Sequence, residues 1–175
     1  SPDGKILASA SDDTPEDFGP DYTLKLWDTS SGELLHTLED AGVYYNISFS
    51  PDGTQVAAAA SDKVKLWDVE SGQEIGIITD QYESIGKEVF GNGSVNDFAW
   101  SPDGKSIALL TSSALSLIDI YTHEEIVLAP RADLHIRPSP HLITFSPDGK
   151  MLAVSYIEEV KVYDIESQQA LFTLD

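Results

Sequence analysis

Three groups of residues have the types and spacing to do chemistry. The densest is acidic, with Asp12, Asp13, Glu16, Asp17 and Asp21 in one short stretch. Carboxylates are the oxygen donors that calcium takes, yet the regular spacing and central glycine of a calcium-binding loop are missing, so a solvated loop is expected. The second group is basic. Arg131 and Arg137 are the only arginines in the chain, and they share the stretch "APRADLHIRPSPHL" with His135 and His141. A guanidinium grips a carboxylate through two parallel N–H bonds, so this stretch could select an acidic group on a partner; the alternative is ion pairing with acids of the same chain. The third group lies in "TDQYESIGKEVFGNGSVND", which presents Tyr82, Lys87 and Phe90. Aromatic side chains anchor protein interfaces, or else fold back to cover the elements that carry them.

No reaction centre emerges from these groups. His36 lies between Leu35 and Thr37, and His123 follows Thr122 in a turn, neither beside a recognisable nucleophile. There is no cysteine, which excludes disulfides, thiolate nucleophiles and thiolate-bound metal. Nucleophile elbows, paired zinc-ligating histidines and phosphate-binding glycine loops are also missing. The expectation is therefore no catalytic residue, no metal and no cofactor. Lysine and arginine number 10 against 30 aspartates and glutamates, a formal net charge of -20. Such a field repels nucleic-acid backbones and anionic membrane surfaces, which leaves a protein or peptide as the expected partner. No apolar run approaches the roughly 20 residues that cross a bilayer, no signal peptide precedes Ser1, and a cytoplasmic location is favoured.

The elements that must position these groups are announced by a repeat. "SPDG" occurs at Ser1, Ser50, Ser101 and Ser146, so successive copies stand 49, 51 and 45 residues apart. Proline presets the second turn position, aspartate suits the third and glycine accepts the left-handed backbone that returns the chain. Before the turn come short alternating stretches such as Tyr45, Ile47, Phe49 and Phe98, Trp100. After it come "KILASAS", "TQVAAAAS", "KSIALLTS" and "KMLAVSY", whose small residues permit close approach by a neighbouring sheet. A third strand follows in each unit, "TLKLWD", "KVKLWD", "LSLIDI" and "VKVYDI", in which Leu24 and Leu26 take one face while Lys25 and Trp27 take the other. Turns such as "DTSSGE" lead to a fourth strand. No segment has helical periodicity.

The unit is thus a four-stranded antiparallel meander, and the chain reads as all-β. One such sheet cannot bury both of its faces alone; ranking sheets around an axis solves this, which is a β-propeller. The strand count is three, four, four and four, with the strand before the first "SPDG" missing; in WD-repeat proteins, which these units resemble, that strand is the innermost of its blade. The blades are expected over residues 1–39, 40–80, 94–129 and 139–175 of a single propeller segment. Four blades lacking one strand are expected to be part of a larger ring, or to associate with a second copy through the open blade faces.

These residues resemble the WD-repeat β-propeller family. "SPDGK" with "LASASDD" and "TLKLWD", then "SPDGT" with "AAAASD" and "KVKLWD", match its pattern strongly. The last two copies depart from it, with Ile118 and Tyr163 at the tryptophan position, although Asp119 and Asp164 keep the following aspartate. The resemblance implies structural roles for Trp27, Asp28, Trp67 and Asp68, and for a turn aspartate, Asp21 in the first repeat and Asp62 with a shortened turn in the second. It also implies a hydrogen-bond network through a glycine-histidine pair. That pair is absent, so apolar packing is expected to outweigh the polar network.

Loop lengths place the function. From Ser1 to Trp27 is 26 residues, against 17 in the other three repeats, an insertion around Phe18. The connections after the fourth strands are longer still. In a meander both loop types leave the same rim, so Phe18, Tyr82, Lys87, Phe90, Arg131, His135 and Arg137 are the expected partner-binding residues. The leading expectation is a non-enzymatic scaffold that binds a protein or peptide there. The alternative is the propeller portion of an enzyme, similar to lactonases, TolB-like repeats or peptidase-gating propellers, with Asn46, Asn96, Asp97 and Thr144 able to face a channel.

Overall fold

Alternating small and apolar residues form strands wherever the repeat calls for them. The computed structural model describes residues 1–13, 21–38, 46–60, 62–78, 95–112, 114–130, 142–156 and 159–174. Among these there are fifteen strands and no helix. The first sheet holds β1 (Ile6–Asp13), β2 (Asp21–Asp28) and β3 (Leu34–Leu38). The second holds β4 (Asn46–Phe49), β5 (Gln55–Ala59), β6 (Val64–Asp68) and β7 (Glu74–Ile78). The third comprises β8 (Val95–Trp100), β9 (Ser106–Thr111), β10 (Ala114–Asp119) and β11 (Glu125–Pro130); the fourth comprises β12 (Leu142–Phe145), β13 (Met151–Ser155), β14 (Val160–Asp164) and β15 (Gln169–Leu174). Strands follow chain order in every sheet, the plain meander that short turns impose. The chain divides into two compact units, Ser1–Ile77 and Ile78–Asp175.

In the first unit the alternation within β2 decides the packing. Leu24 and Leu26 are fully buried together with Leu38 of β3, against Val56, Ala58 and Trp67 of the second sheet. Removing one leucine of this kind from water is worth about 1.5–3 kcal/mol. The alanines of β5 are what let the sheets approach, since Ala57 and Ala58 have no exposed surface. Lys65 shares a face with Trp67, opposite Ala58 in the register, and is 3% exposed. Its ammonium is held 3.0 Å from Glu74 Oε2, which offsets the cost of burying the charge.

The second unit is built the same way. Ala108, Leu110, Leu115 and Leu128 of the third sheet pack on Ile143, Leu152, Val154, Tyr156 and Tyr163 of the fourth. Here Lys161 lies 5.4 Å from the centre of the Tyr156 ring and 3.6 Å from Glu159. One polar link joins the inner strands: Asp97 Oδ2 accepts a 2.9 Å hydrogen bond from the Ile143 N–H. That carboxylate is 5% exposed. The expectation that Asp97 faces a channel is therefore corrected: its carboxylate is buried and bonded to the inner strand of the next sheet.

A second contact between sheets explains one glycine. His36 of β3 reaches the turn after β6, where its Nε2–H donates to the Glu70 carbonyl at 3.0 Å. The ring leaves no room at Gly72, where a Cβ would stand 2.7 Å from it and the backbone φ is +68°. Gly32 has a similar φ of +73° but open space around it.

Two outcomes test this packing by chemical denaturation. Leu26→Ala is expected to cost about 2–5 kcal/mol, whereas Leu7→Ala, at a position 58% exposed, costs about 0.5 kcal/mol or less. Gly32→Ala is expected to lose about 1–2 kcal/mol from backbone strain alone, and Gly72→Ala more. In the His36→Gly background, which removes the ring and the Cβ that would stand 3.1 Å away, the loss from Gly72→Ala falls to the Gly32→Ala level, the signature of a steric coupling between the two sheets.

Candidate functional site

Each sheet has one closed end and one open end. At the closed end Ser-Pro-Asp-Gly folds onto itself. Ser1 Oγ donates to Asp3 Oδ1 at 2.7 Å and accepts from the Ile6 N–H at 2.9 Å, while the Lys5 N–H donates to the same Asp3 oxygen at 3.1 Å. Ser50 with Asp52, Ser101 with Asp103 and Ser146 with Asp148 repeat the clasp at 2.6–2.7 Å. The prolines have a further task. A Cβ on Gly53 would stand 3.4 Å from Pro2 Cδ, and one on Gly149 3.5 Å from Pro102 Cδ, so within each unit one turn's proline rests on the next turn's glycine.

The aspartates that end β2, β6, β10 and β14 close the neighbouring turns. Asp28 Oδ1 accepts hydrogen bonds from the backbone and hydroxyl of both Ser30 and Ser31. Asp68 takes two from Ser71, and Asp164 two from Ser167. Asp119 accepts from the Tyr121 and Thr122 N–H groups. His123 (φ 57°) and Gln168 (φ 58°) occupy the left-handed position that Gly32 and Gly72 hold in the first two sheets.

These donors stabilise the ionised carboxylates. Hydrogen bonds from the Ser1 hydroxyl to Asp3, and from the Ser30 hydroxyl to Asp28, head the causes that lower both carboxyls from the ordinary 3.8 to about 2. Asp52, Asp103 and Asp148 are lowered mainly by the hydroxyls of Ser50, Ser101 and Ser146, and Asp68 and Asp164 by those of Ser71 and Ser167. Backbone donation from Thr122 lowers Asp119.

The open end is where the long connections start and finish. In the first sheet Asp13 pairs with Asp21 across the insertion, and Leu24 pairs with Leu38, so both flanks leave one edge of the meander. In the second, Asn46, Ala59 and Val64 align there. In the third, Val95 with Thr111 and Ala114 with Pro130 do so, and in the fourth Leu142, Ser155, Val160 and Leu174. Phe18, Tyr82, Lys87, Phe90, Arg131, His135 and Arg137 all belong to these connections and lie outside the described residues.

The structural residues can be placed directly. Trp67, Ile118 and Tyr163 occupy one equivalent position and are all buried, at 2%, 2% and 3% exposure. Trp27 is half-buried and its indole N–H donates to Ser9 Oγ at 2.9 Å. A strand hydroxyl thus satisfies this indole although the chain has no glycine-histidine pair. Asp21 opens β2, and Asp62 is exposed just before β6. Asn46 and Asn96 are half-buried and Thr144 is exposed. No group of three metal-ligating side chains occurs among the described residues, and no helix among them is long and apolar enough to cross a membrane. Asp97 and His36 are the contacts that sequence reasoning missed. Nothing in a single polar residue of a strand signals which neighbouring sheet it will meet.

Four antiparallel meanders with short turns at one end and variable connections at the other define a β-propeller. Two solved structures share this fold: Kuenenia stuttgartiensis hydrazine synthase, at 21% identity and a TM-score of 0.74 over 99% of this chain and 46% of that one, and the Myceliophteria thermophila Cps50 (Swd1) β-propeller domain, at 17% and 0.74 over 98% and 52%. Residues 32–68 match the WD domain, G-beta repeat family. The small ribosomal subunit protein RACK1 of Caenorhabditis elegans is 33% identical over 107 residues, and RACK1y of Oryza sativa subsp. japonica 30% over 107, each covering 61% of this chain and 30% and 29% of the relative. These matches, with the shared fold, support a WD-repeat β-propeller. The chain spans about three tenths of the length of these curated relatives. The matched segment runs from Gly32 through β3 to β6, so the sequence repeat takes the outer strand of one sheet and three strands of the next.

The clasps make stability pH-dependent with a definite sign. Their carboxyls have lower pKa values folded than unfolded, so their contribution is complete above about pH 4 and is lost as pH falls toward 2. Thermal midpoints are expected to drop across that window. In Asp28→Ala the midpoint is lower at pH 6 and the remaining drop between pH 5 and pH 2 is smaller than in the unsubstituted protein.

Proposed function

We propose that the chain is a rigid, non-enzymatic scaffold that binds a protein or peptide at the open end of its sheets. The observation that carries this reading is the register: in each sheet the long connections leave from the end opposite the Ser-Asp clasps. Clasped turns hold the strands, so loops of variable length and composition are presented from a stiff base. In this reading residues 1–39, 40–80, 94–129 and 139–175 are successive blades of one segment, and the connections between them carry recognition. Tyr82 and Phe90 supply rigid aromatic anchors, with Phe18 and Lys87 alongside. Arg131 and Arg137, with His135, form a basic patch in a chain of net charge -20, suited to a carboxylate on the partner.

Several features support this over other classes. The charge disfavours nucleic acid and anionic membranes as general partners. The relatives named RACK1 are named as proteins of the small ribosomal subunit, which supports assembly with other macromolecules and a cytoplasmic setting for this chain. The likeness to hydrazine synthase is one of fold and brings no reaction with it.

The test is quantitative capture of partners by the immobilised protein and its variants. Arg131→Glu with Arg137→Glu, or Tyr82→Ala with Phe90→Ala, is expected to weaken capture roughly thirty-fold, as loss of about 2 kcal/mol at an interface anchor does. Thermal midpoints stay close to that of the unsubstituted protein. Undiminished capture by both double variants would remove the open-end reading.

A further inference from the structure

The Ser-Pro-Asp-Gly turn forces glycine to follow aspartate. Gly53, Gly104 and Gly149 hold φ of +75°, +69° and +70°, a left-handed backbone that strains any other L-residue. That requirement carries a chemical hazard. A glycine nitrogen has no Cβ beside it to shield it, and it can attack the side-chain Cγ of the aspartate before it. A new N–C bond forms while the amide proton and the carboxyl OH leave as water, which closes a succinimide ring. Water then opens the ring at the former main-chain carbonyl, and the chain runs on through the side-chain carboxyl as isoaspartate. No oxidant or other reactant is consumed.

Asp52, Asp103 and Asp148 are all exposed, so exclusion of water does not protect them. Hydrogen bonds engage both reacting groups instead. The N–H groups of Gly53, Gly104 and Gly149 donate to the carbonyls of Ser50, Ser101 and Ser146 at 2.9 Å. Each aspartate Oδ1 accepts from the hydroxyl of its serine at 2.6–2.7 Å, and from the N–H of Thr54, Lys105 or Lys150 at 3.0–3.1 Å, which restrains rotation of the carboxyl. The serine hydroxyl also heads the causes that lower these three carboxyls, and an ionised carboxylate has no OH to lose as water.

We infer that the serine hydroxyl of each Ser-Pro-Asp-Gly turn, besides closing the turn, protects its aspartyl-glycyl bond from conversion to isoaspartate. Isoaspartate adds a methylene to the main chain, which a turn closed by bonds of 2.9 Å between its first and fourth residues does not accommodate. The clasp therefore preserves the very ends that hold the strands together. This role is independent of what the open-end connections bind.

The test is to age the whole protein and its variants for weeks at neutral pH, then measure isoaspartate at each aspartate by peptide mapping with isoaspartyl-methyltransferase labelling. The peptide Phe-Ala-Trp-Ser-Pro-Asp-Gly-Lys-Ser-Ile, with the sequence of Phe98–Ile107, sets the unclasped rate. Asp52, Asp103 and Asp148 of the unsubstituted protein are expected to convert at least about tenfold more slowly than this peptide. Ser101→Ala raises the rate at Asp103 about tenfold, the effect of losing one charge-assisted hydrogen bond, and leaves Asp52 and Asp148 unchanged. Ser146→Ala reverses the pattern and raises Asp148 alone. Leu152→Ala, which opens a cavity in the same unit with every clasp in place, leaves Asp103 slow. Equal rates in protein and peptide, no local rise in either serine variant, or a rise at all three aspartates in both would overturn the inference. An equal rise at Asp103 in Leu152→Ala would assign the protection to the fold as a whole and overturn it too.

Discussion

A twisted sheet of these strands is apolar on both faces, and water must be kept from each. This constraint governs the rest of the structure. Leu24 and Leu26 cannot reach solvent without losing the burial that makes β2 stable, so a second sheet has to lie against them; Val56, Ala58 and Trp67 form its surface. The alanines of β5 reflect the same need, since a larger side chain there would hold the sheets apart. Even the charged Lys65 conforms, laying its stem along the packed face and pairing its ammonium with Glu74.

Turn chemistry divides each sheet into a constant end and a variable one. Ser-Pro-Asp-Gly and the aspartate turn after the third strand are held by bonds spanning two to five residues, so each closes with little help from elsewhere. This locality explains why Asp119 and Asp164 persist where the tryptophan before them has been replaced. The carboxylate answers to its own turn, whereas the residue before it answers to a packing volume that Ile118 and Tyr163 also fill. The strain is likewise local: His123 and Gln168 accept a left-handed backbone because the turn's hydrogen bonds outweigh the cost.

The strands, their order and the faces of β2 were legible in the residues because each depends on near neighbours and a period of two. Asp97 was not legible. As a polar residue in an inner strand it reads as channel-facing, and only the approach of β12 supplies the Ile143 N–H from which its carboxylate accepts. Trp27 shows the converse. Without a glycine-histidine pair its indole reads as lacking its usual partners, yet Ser9, two residues beyond the pairing partner Leu7, supplies an acceptor. The candidate binding residues were read from loop length and composition, and the register shows that their flanking strands converge on one end of each sheet.

The sequence by itself determined the meander, the turn clasps and the alternation of buried and open faces, since these follow from backbone preferences and hydrogen bonds within a few residues. Only the tertiary structure decided which side chains cross from one sheet to the next: His36 to the Glu70 carbonyl, Asp97 to Ile143, Pro2 onto Gly53. Such contacts join residues 34–51 positions apart, and their geometry depends on how two whole sheets twist and settle against one another, a property that no short stretch of chain contains.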